Sequence, residues 1–143
     1  MIRIRSLFAV LSLAFAGIAG AGALGEAAHR VVIQVSTDDA RTQTIAVNNA
    51  VNLQQAYGMD NVDVEIVAYG PGLSLLTRNG PQAARVESLA MQNIRFSACG
   101  NTMRKATEKS GKEPQLIDGV KVVPAGVARI VELQEKGYAY IRP

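Results

Sequence analysis

Segments of strand type and helix type alternate along residues 30–142, and this alternation is the strongest constraint on the fold. Segments with helical spacing or with helix start and stop signals separate short apolar segments of strand length. Strands that alternate with helices form a mostly parallel sheet with helices on both faces. We therefore predict an α/β fold with a doubly wound, five-stranded sheet, whose strands lie at residues 30–35, 62–69, 94–98, 119–123 and 138–142.

The helical segments carry recognisable start and stop signals. A stripe of apolar side chains, spaced four, three and four residues apart, predicts a helix over residues 40–57 that ends at Gly58. Pro124 and Gly137 bracket the last helix, because proline favours the first helical position and glycine the position after the end. Three shorter helices are predicted: one through Leu76 after the turn at residues 70–72, one over residues 82–92 and one over residues 101–109.

The second strand sets the predicted strand order. Its apolar side chains alternate with Asp63 and Glu65, and a strand face with two acids is typical of a solvent-exposed edge. We therefore predict that the first strand is central and that the order is flavodoxin-like, 2-1-3-4-5. Ligands of such sheets bind beyond the carboxyl ends of strands 1 and 3. The loops expected there are residues 36–39 and 99–102.

Cys99 is the only cysteine of the chain, and it stands where the third strand runs into a helix. The free N–H groups and the dipole of a helix start favour an anion, and the thiolate is the reactive form of cysteine. A single cysteine can form neither an internal disulfide nor a Cys-x-x-Cys redox pair. Two interpretations stay open: a reactive thiol, and a small buried hydrophobic residue.

The two loops at the predicted crevice supply the other candidate residues. We predict that Ser36, Thr37 and Asp38 from one loop bind substrate opposite Cys99. Asn101 and Thr102 follow Cys99 directly and have side chains that can hydrogen-bond a sulfur substituent. Helix capping explains the same residue types without any ligand.

Several classes of protein do not fit these residues. The only histidine, His29, lies beside the start of the mature chain, which argues against Ser-His-Asp and Cys-His catalysis. The chain has no His-Glu-x-x-His motif, no cysteine cluster and no Walker-type Gly-Lys-Ser/Thr sequence. We therefore predict no metal and no cofactor. Weak Cu(I) binding by Cys99 and Met103, two soft ligands four residues apart, is the alternative.

Residues 1–25 have the three parts of a secretory signal peptide. Arg3 and Arg5 form a basic start, an apolar stretch follows, and small residues come last. We predict cleavage, a periplasmic location and one mature domain over residues 26–143 without membrane contact; an uncleaved anchor is the alternative. Of 15 basic and 12 acidic residues, two basic ones leave with the leader, so 13 against 12 remain and the net charge is +1. That balance indicates no nucleic-acid partner.

Four segments of the mature chain carry a further signal: Val31–Asp38, Val64–Gly72, which ends in Tyr-Gly-Pro-Gly, Phe96–Met103, which reads Phe-Ser-Ala-Cys-Gly-Asn-Thr-Met, and Gly126–Ile141. Together they resemble the DsrE-like family of small sulfur-trafficking proteins, in particular its exported single-domain members. The resemblance implies a flavodoxin-like fold, homo-oligomers that are often trimers or hexamers, and a cysteine that carries sulfur as a persulfide. Cys99 is the only position that can take that role.

The residues and the resemblance together lead to two functional hypotheses. In the first, the protein handles sulfur in the periplasm as a carrier or sulfurtransferase component, and Cys99 exchanges sulfane sulfur with a donor or acceptor protein or a small sulfur compound. In the second, it is a non-catalytic ligand-binding or assembly module with a buried structural Cys99. We also predict a homo-oligomer, a trimer or hexamer, with the apolar residues 73–76 or the region of Cys99 near a subunit boundary.

Overall fold

The computed structural model describes residues 27–143, and the predicted leader, residues 1–25, lies outside the described residues. Each predicted strand and helix is present, with bounds that differ by one or two residues at most ends. The residues before Gly126 form the lead-in to the last helix, so Pro124 precedes that helix instead of opening it. The elements are β1 His29–Val35, α1 Ala40–Tyr57, β2 Val62–Ala68, a 3₁₀ helix Gly70–Leu76, α2 Ala83–Ala90, β3 Ile94–Cys99, α3 Gly100–Ser110, β4 Lys121–Val123, α4 Gly126–Glu135 and β5 Ala139–Ile141.

The five strands form one parallel sheet in the order β4-β3-β2-β1-β5. The predicted α/β class with a parallel sheet is confirmed, but the predicted order 2-1-3-4-5 is wrong. The strand β2, expected at an edge, is the central strand. Its acids are compatible with this position because Arg95 and Arg129 neutralise Glu65, which is only 1 % exposed.

Helices cover the two faces of the sheet unequally. The main apolar core lies between one face and the helices α1, α2 and α3, together with the 3₁₀ helix. On the other face, a small cluster joins Val32 and Val67 of the sheet to Ile130 and Leu133 of α4. Within residues 27–143, none of the helices combines the length and the apolar composition that crossing a bilayer requires.

The 3₁₀ helix packs tightly over the carboxyl end of β1. A Cβ atom at Gly72 would lie 2.2 Å from the carbonyl oxygen of Val35, so only glycine fits there. The backbone N–H of Tyr69 also donates to Val35 O at 3.1 Å. Together with β2, this segment separates residues 36–39 from residues 99–102, so the crevice predicted between strands 1 and 3 does not form.

The leucines of the 3₁₀ helix belong to the core of the subunit. Leu73, Leu75 and Leu76 are all buried against the sheet and its helices. One subunit alone covers them, so they are not surplus apolar residues, and a subunit boundary near residues 73–76 or near Cys99 stays a prediction.

Candidate functional site

Cys99 is the last residue of β3 and the N-cap of α3, as the sequence predicts. Its backbone is extended (φ −74°, ψ 114°), and the helix begins at Gly100. Side chains alternate along β3, and Ser97 pairs with Val67, which packs against α4. Cys99, two residues further along, therefore faces α4. It is 5 % exposed.

A second helix also begins beside this cysteine. A Cβ atom at Gly126, the first residue of α4, would lie 3.2 Å from the Cβ of Cys99 and 3.1 Å from the ring of Tyr69. The N–H of Asn101 donates to the carbonyl of Pro124 at 3.2 Å, which ties the first turn of α3 to the lead-in of α4. The positive ends of two helices therefore converge on one thiol.

These helix starts change the acidity of the thiol. Burial raises the pKa of Cys99, but hydrogen bonds from the Thr102 hydroxyl and from the backbone N–H groups of Gly126, Thr102 and Asn101 outweigh it. The pKa therefore lies below its usual range, which favours the thiolate. Thr102 Oγ1 also accepts a hydrogen bond from the N–H of Gly70 at 2.9 Å, so the loop after β2 is held against the site.

The sheet face on which Cys99 lies also carries a cluster of charges, centred on the buried Glu65. Glu65 accepts hydrogen bonds from Arg129 Nε at 2.8 Å, from Arg129 Nη2 at 2.9 Å and from Ser97 Oγ at 2.7 Å. Arg95 Nη1 lies 2.8 Å from Glu65 Oε2, and Arg95 Nη2 lies 2.7 Å from Asp63 Oδ1. The hydroxyl of Tyr138 donates to Asp63.

The arginines keep the central carboxylate ionised. Burial raises the pKa of Glu65, but hydrogen bonds from Arg129 and Ser97, together with the charges of both arginines, outweigh burial and bring the pKa below its usual range. Sequence reasoning missed this cluster. One signal was present: Arg95 and Ser97 alternate along β3 in the same phase as the acids along β2, but only the register shows that they face one another.

The other predicted site residues divide into two groups. Asn101 and Thr102 lie beside Cys99, Thr102 through its side chain and both through their backbone N–H groups. Ser36, Thr37 and Asp38 follow β1, on the far side of β2. There, the hydroxyl of Ser36 accepts from Gln34, that of Thr37 accepts from a backbone N–H, and Asp38 is exposed. Substrate binding by these five residues stays a prediction.

The geometry gives little support to a metal at Cys99. Met103, the second soft ligand of the Cu(I) alternative, packs in the core beneath α1, α2 and α3, whereas Cys99 faces α4. Across the described residues, no three His, Cys, Asp or Glu side chains are grouped so that they could hold a metal ion. His29 lies at the start of β1, where its ring stacks on Tyr57.

A groove of about 470 Å³ runs along the part of the sheet beside α4. Its floor includes Ser97, two residues before Cys99 on the same face, and Val123, the register partner of Cys99 on β4. Glu65, Arg95, Arg129 and Lys121 add charged groups to its lining. The groove therefore lies over the charge cluster and extends from Ser97 and Val123 toward the amino ends of β3 and β4.

The fold places the protein in the class of small α/β domains with a five-stranded parallel sheet, here with a buried thiol at the carboxyl edge. The chain belongs to the DsrE/DsrF-like family, whose model matches residues 29–143. This confirms the family that the sequence motifs indicate.

Two solved structures show the same fold. One is a protein of unknown function, MTH1491 from Methanobacterium thermoautotrophicum, which is 36 % identical with a TM-score of 0.72 and matches over 80 % of this chain and 99 % of its own. The other is the ychN protein from E. coli, 15 % identical with a TM-score of 0.61, over 80 % and 98 % of the two chains. Comparison with curated proteins gave no match.

Proposed function

We propose that the protein carries sulfane sulfur as a persulfide on Cys99. The observation that carries this proposal is the convergence of two helix starts on the only thiol of the chain, where N–H groups and the Thr102 hydroxyl stabilise its anion. Membership of the DsrE/DsrF-like family, which suggests sulfur relay, supports it. A persulfide is also an anion at neutral pH, so the positive ends of the two helices favour the loaded state as well.

The chemistry needs one thiolate and no external oxidant. The Cys99 thiolate attacks the outer sulfur of a persulfide or polysulfide; a new S–S bond forms to Cys99 while the bond to the donor breaks, and the donor leaves as a thiolate or a shorter polysulfide. In the return step an acceptor thiolate attacks the outer sulfur and Cys99 leaves as the thiolate. Groups that stabilise this thiolate assist its departure. Because the chain has no second cysteine, the persulfide cannot collapse to an internal disulfide.

The environment of the thiol suits storage between transfers. Cys99 is 5 % exposed, so the sulfur is shielded from oxidants and is reached only when a surrounding segment moves. The start of α4 at Gly126 lies against Cys99, and the loop at Gly70 is hydrogen-bonded to the Thr102 hydroxyl beside it. A donor or acceptor that opens either segment gains access to the sulfur.

The proposal also includes a location and partners. The leader-type segment over residues 1–25 supports export to the periplasm, where the partners would be a persulfide-bearing protein or a small sulfane-sulfur compound. We further propose that the mature chain works as a homo-oligomer, a trimer or hexamer. Whether residues 1–25 are removed is tested by N-terminal sequencing of protein recovered from the periplasmic fraction.

The decisive experiment is mass spectrometry of the purified protein after anaerobic incubation with polysulfide. We expect one added sulfur per chain, located on the peptide that contains Cys99 and removed by a reducing thiol. The Cys99→Ser variant, treated in the same way, should gain no sulfur. Absence of the adduct in the wild type, with a thiol that a small labelling reagent reaches, would contradict the proposal.

The low exposure of Cys99 favours a second candidate function, a non-catalytic binding or assembly module with a structural cysteine. Thiol titration of the native protein separates the two. Labelling that occurs only after denaturation supports the structural module. Labelling of the native protein near neutral pH supports the sulfur carrier.

A further inference from the structure

The charge cluster connects the centre of the sheet to the beginning of α4. Glu65 lies on the central strand and is held by Ser97 from β3 and by Arg129 from α4. The two Arg129 contacts, at 2.8 and 2.9 Å, engage both carboxylate oxygens. Such a bidentate pair fixes the orientation of the guanidinium group relative to the carboxylate as well as the distance between them, whereas a single contact fixes only the distance.

Arg129 occupies a position from which it controls the helix start. It lies three residues after Gly126, and its N–H closes the first turn of α4 on the carbonyl of Ala125 at 3.0 Å. Val127 and Ala128, between them, are exposed. The apolar contacts of α4, made by Ile130 and Leu133, lie further along the helix. Arg129 is thus the charged side chain that attaches the first turn to the sheet.

We propose that Glu65 and Arg129 are positioning residues for Cys99: their bidentate pair holds the first turn of α4 against the sheet and so keeps the Gly126 N–H on the thiol. The inference deepens the proposed function and rests on it for its meaning, since the thiolate is the form that would take up sulfur. The effect of the ion pair on the acidity of the Cys99 thiol can be measured without any sulfur donor.

Because Glu65 and Arg129 carry opposite charges, a positional effect on the thiol can be distinguished from a through-space effect of charge. Removing the positive charge of Arg129 would disfavour the thiolate through space, and removing the negative charge of Glu65 would favour it. Displacement of the first turn of α4 from the thiol lowers the thiolate fraction, whichever of the two partners is removed. If the pair works by position, loss of either partner weakens the Gly126 hydrogen bond and disfavours the thiolate.

The test uses the single cysteine as a reporter. Protein labelled with a carbon isotope at cysteine Cβ gives one resonance, whose pH titration by NMR reports the thiolate fraction even for a buried thiol. We expect Arg129→Met and Glu65→Gln both to move the midpoint to higher pH. At a fixed pH below the midpoint, each should hold about tenfold less thiolate, the effect of losing one hydrogen bond to an anion.

Matched variants control for the loss of charge alone. Glu132→Gln removes the exposed partner of Arg129 Nη1, 3.3 Å away, and Arg78→Met breaks the exposed pair with Asp118. Both should titrate like the wild type. If Arg129 and Glu65 act through one contact, the double variant should shift the midpoint no more than the larger single variant does.

Two further variants keep the test decisive if either neutral variant fails to fold. Arg129→Lys retains the charge but not the bidentate geometry, and it should produce a smaller shift in the same direction. Gly126→Ala leaves the ion pair intact but places a Cβ 3.1 to 3.2 Å from side-chain atoms of Tyr69 and Cys99, so the thiol and the helix start must separate by a few tenths of an ångström and the midpoint should rise.

Shifts in opposite directions for Arg129→Met and Glu65→Gln would overturn the proposal in favour of a through-space effect. Unchanged midpoints in Arg129→Lys and in the folded neutral variants would overturn it as well. A wild-type protein that titrates as expected but takes up no sulfur would refute the proposed function alone.

Discussion

At the scale of single residues, the thiol and the buried carboxylate depend on the same feature, an anion held by donors at the junction of several elements. Cys99 is stabilised by hydrogen bonds from Thr102, Gly126 and Asn101, and Glu65 by two arginines and Ser97. Burial disfavours both anions, and the donors reverse that effect in both cases. Removing a donor should therefore cost more here than at an exposed anion.

Glu65 gives the fold a defined dependence on pH. Because its folded-state pKa lies below the unfolded value, it contributes stability at pH values above the unfolded pKa, and this contribution is lost as the pH falls through the folded pKa. We expect Glu65→Gln to lower the free energy of unfolding by roughly 3 kcal/mol at neutral pH, since it removes the one buried counter-charge that the partly buried Arg95 and Arg129 share. Urea denaturation at several pH values measures this difference.

The difference between wild type and Glu65→Gln should shrink as the pH falls into the acid range. Asp118→Asn, at an exposed pair with Arg78, is the matched control and should cost little, because exposed ion pairs contribute little to stability. A difference that stays constant down to acid pH would contradict the role assigned to Glu65.

At the scale of elements, the close packing of the 3₁₀ helix on β1 decides which loops can meet. We expect Gly72→Ala to destabilise the protein by about 3 kcal/mol or more, because the new Cβ would lie 2.2 Å from the backbone oxygen of Val35, which cannot move without displacing the strand. Thermal and urea denaturation provide the measurement.

Gly111→Ala is the comparison for this substitution. Gly111 has a positive φ of 72° but no atom within 4 Å of a new Cβ, so only conformational strain, about 1 kcal/mol, is expected. Equal losses for the two variants would show that the contact with Val35 is not tight in solution.

The elements were predictable from sequence because their signals are local. The spacing of apolar residues gave the helix at residues 40–57 with the bounds that the structure has. Strand order depends on residues far apart: Glu65 is acceptable at the centre only because Arg95 and Arg129 reach it from β3 and α4. The alternation of apolar and acidic residues in β2 does not reveal those partners, so β2 was predicted to lie at an edge.

The residues of the candidate site likewise fall into those that local sequence signals predict and those that they do not. Cys99 and Thr102 could be identified because a strand end and a helix start are adjacent in sequence there. Gly126 lies 27 positions after Cys99. Its contact with the thiol exists only because the crossover from β4 through α4 to β5 carries the chain to the other face of the sheet. The second helix start was therefore beyond prediction.

At the scale of the whole molecule, the unequal coverage of the sheet bears on the proposed homo-oligomer. Within residues 27–143, α1, α2, α3 and the 3₁₀ helix cover one face, and α4 is the helix that packs on the other, where the groove beside it is open. Val127 and Val131, one helical turn apart on α4, are 60 % and 51 % exposed. With the leucines of the 3₁₀ helix buried, we propose that these two valines form part of the surface through which subunits associate.

We expect the mature protein at micromolar concentration to elute as one species with the mass of a trimer or hexamer in size-exclusion chromatography coupled to light scattering. The double substitution Val127→Glu and Val131→Glu should shift the protein toward the monomer, because association would bury two carboxylates without partners. Met91→Glu, at an exposed methionine after α2, is the matched control and should leave the mass unchanged. A wild-type protein at the monomer mass would refute the homo-oligomer, and an unchanged mass in the α4 variant would exclude this face as its interface.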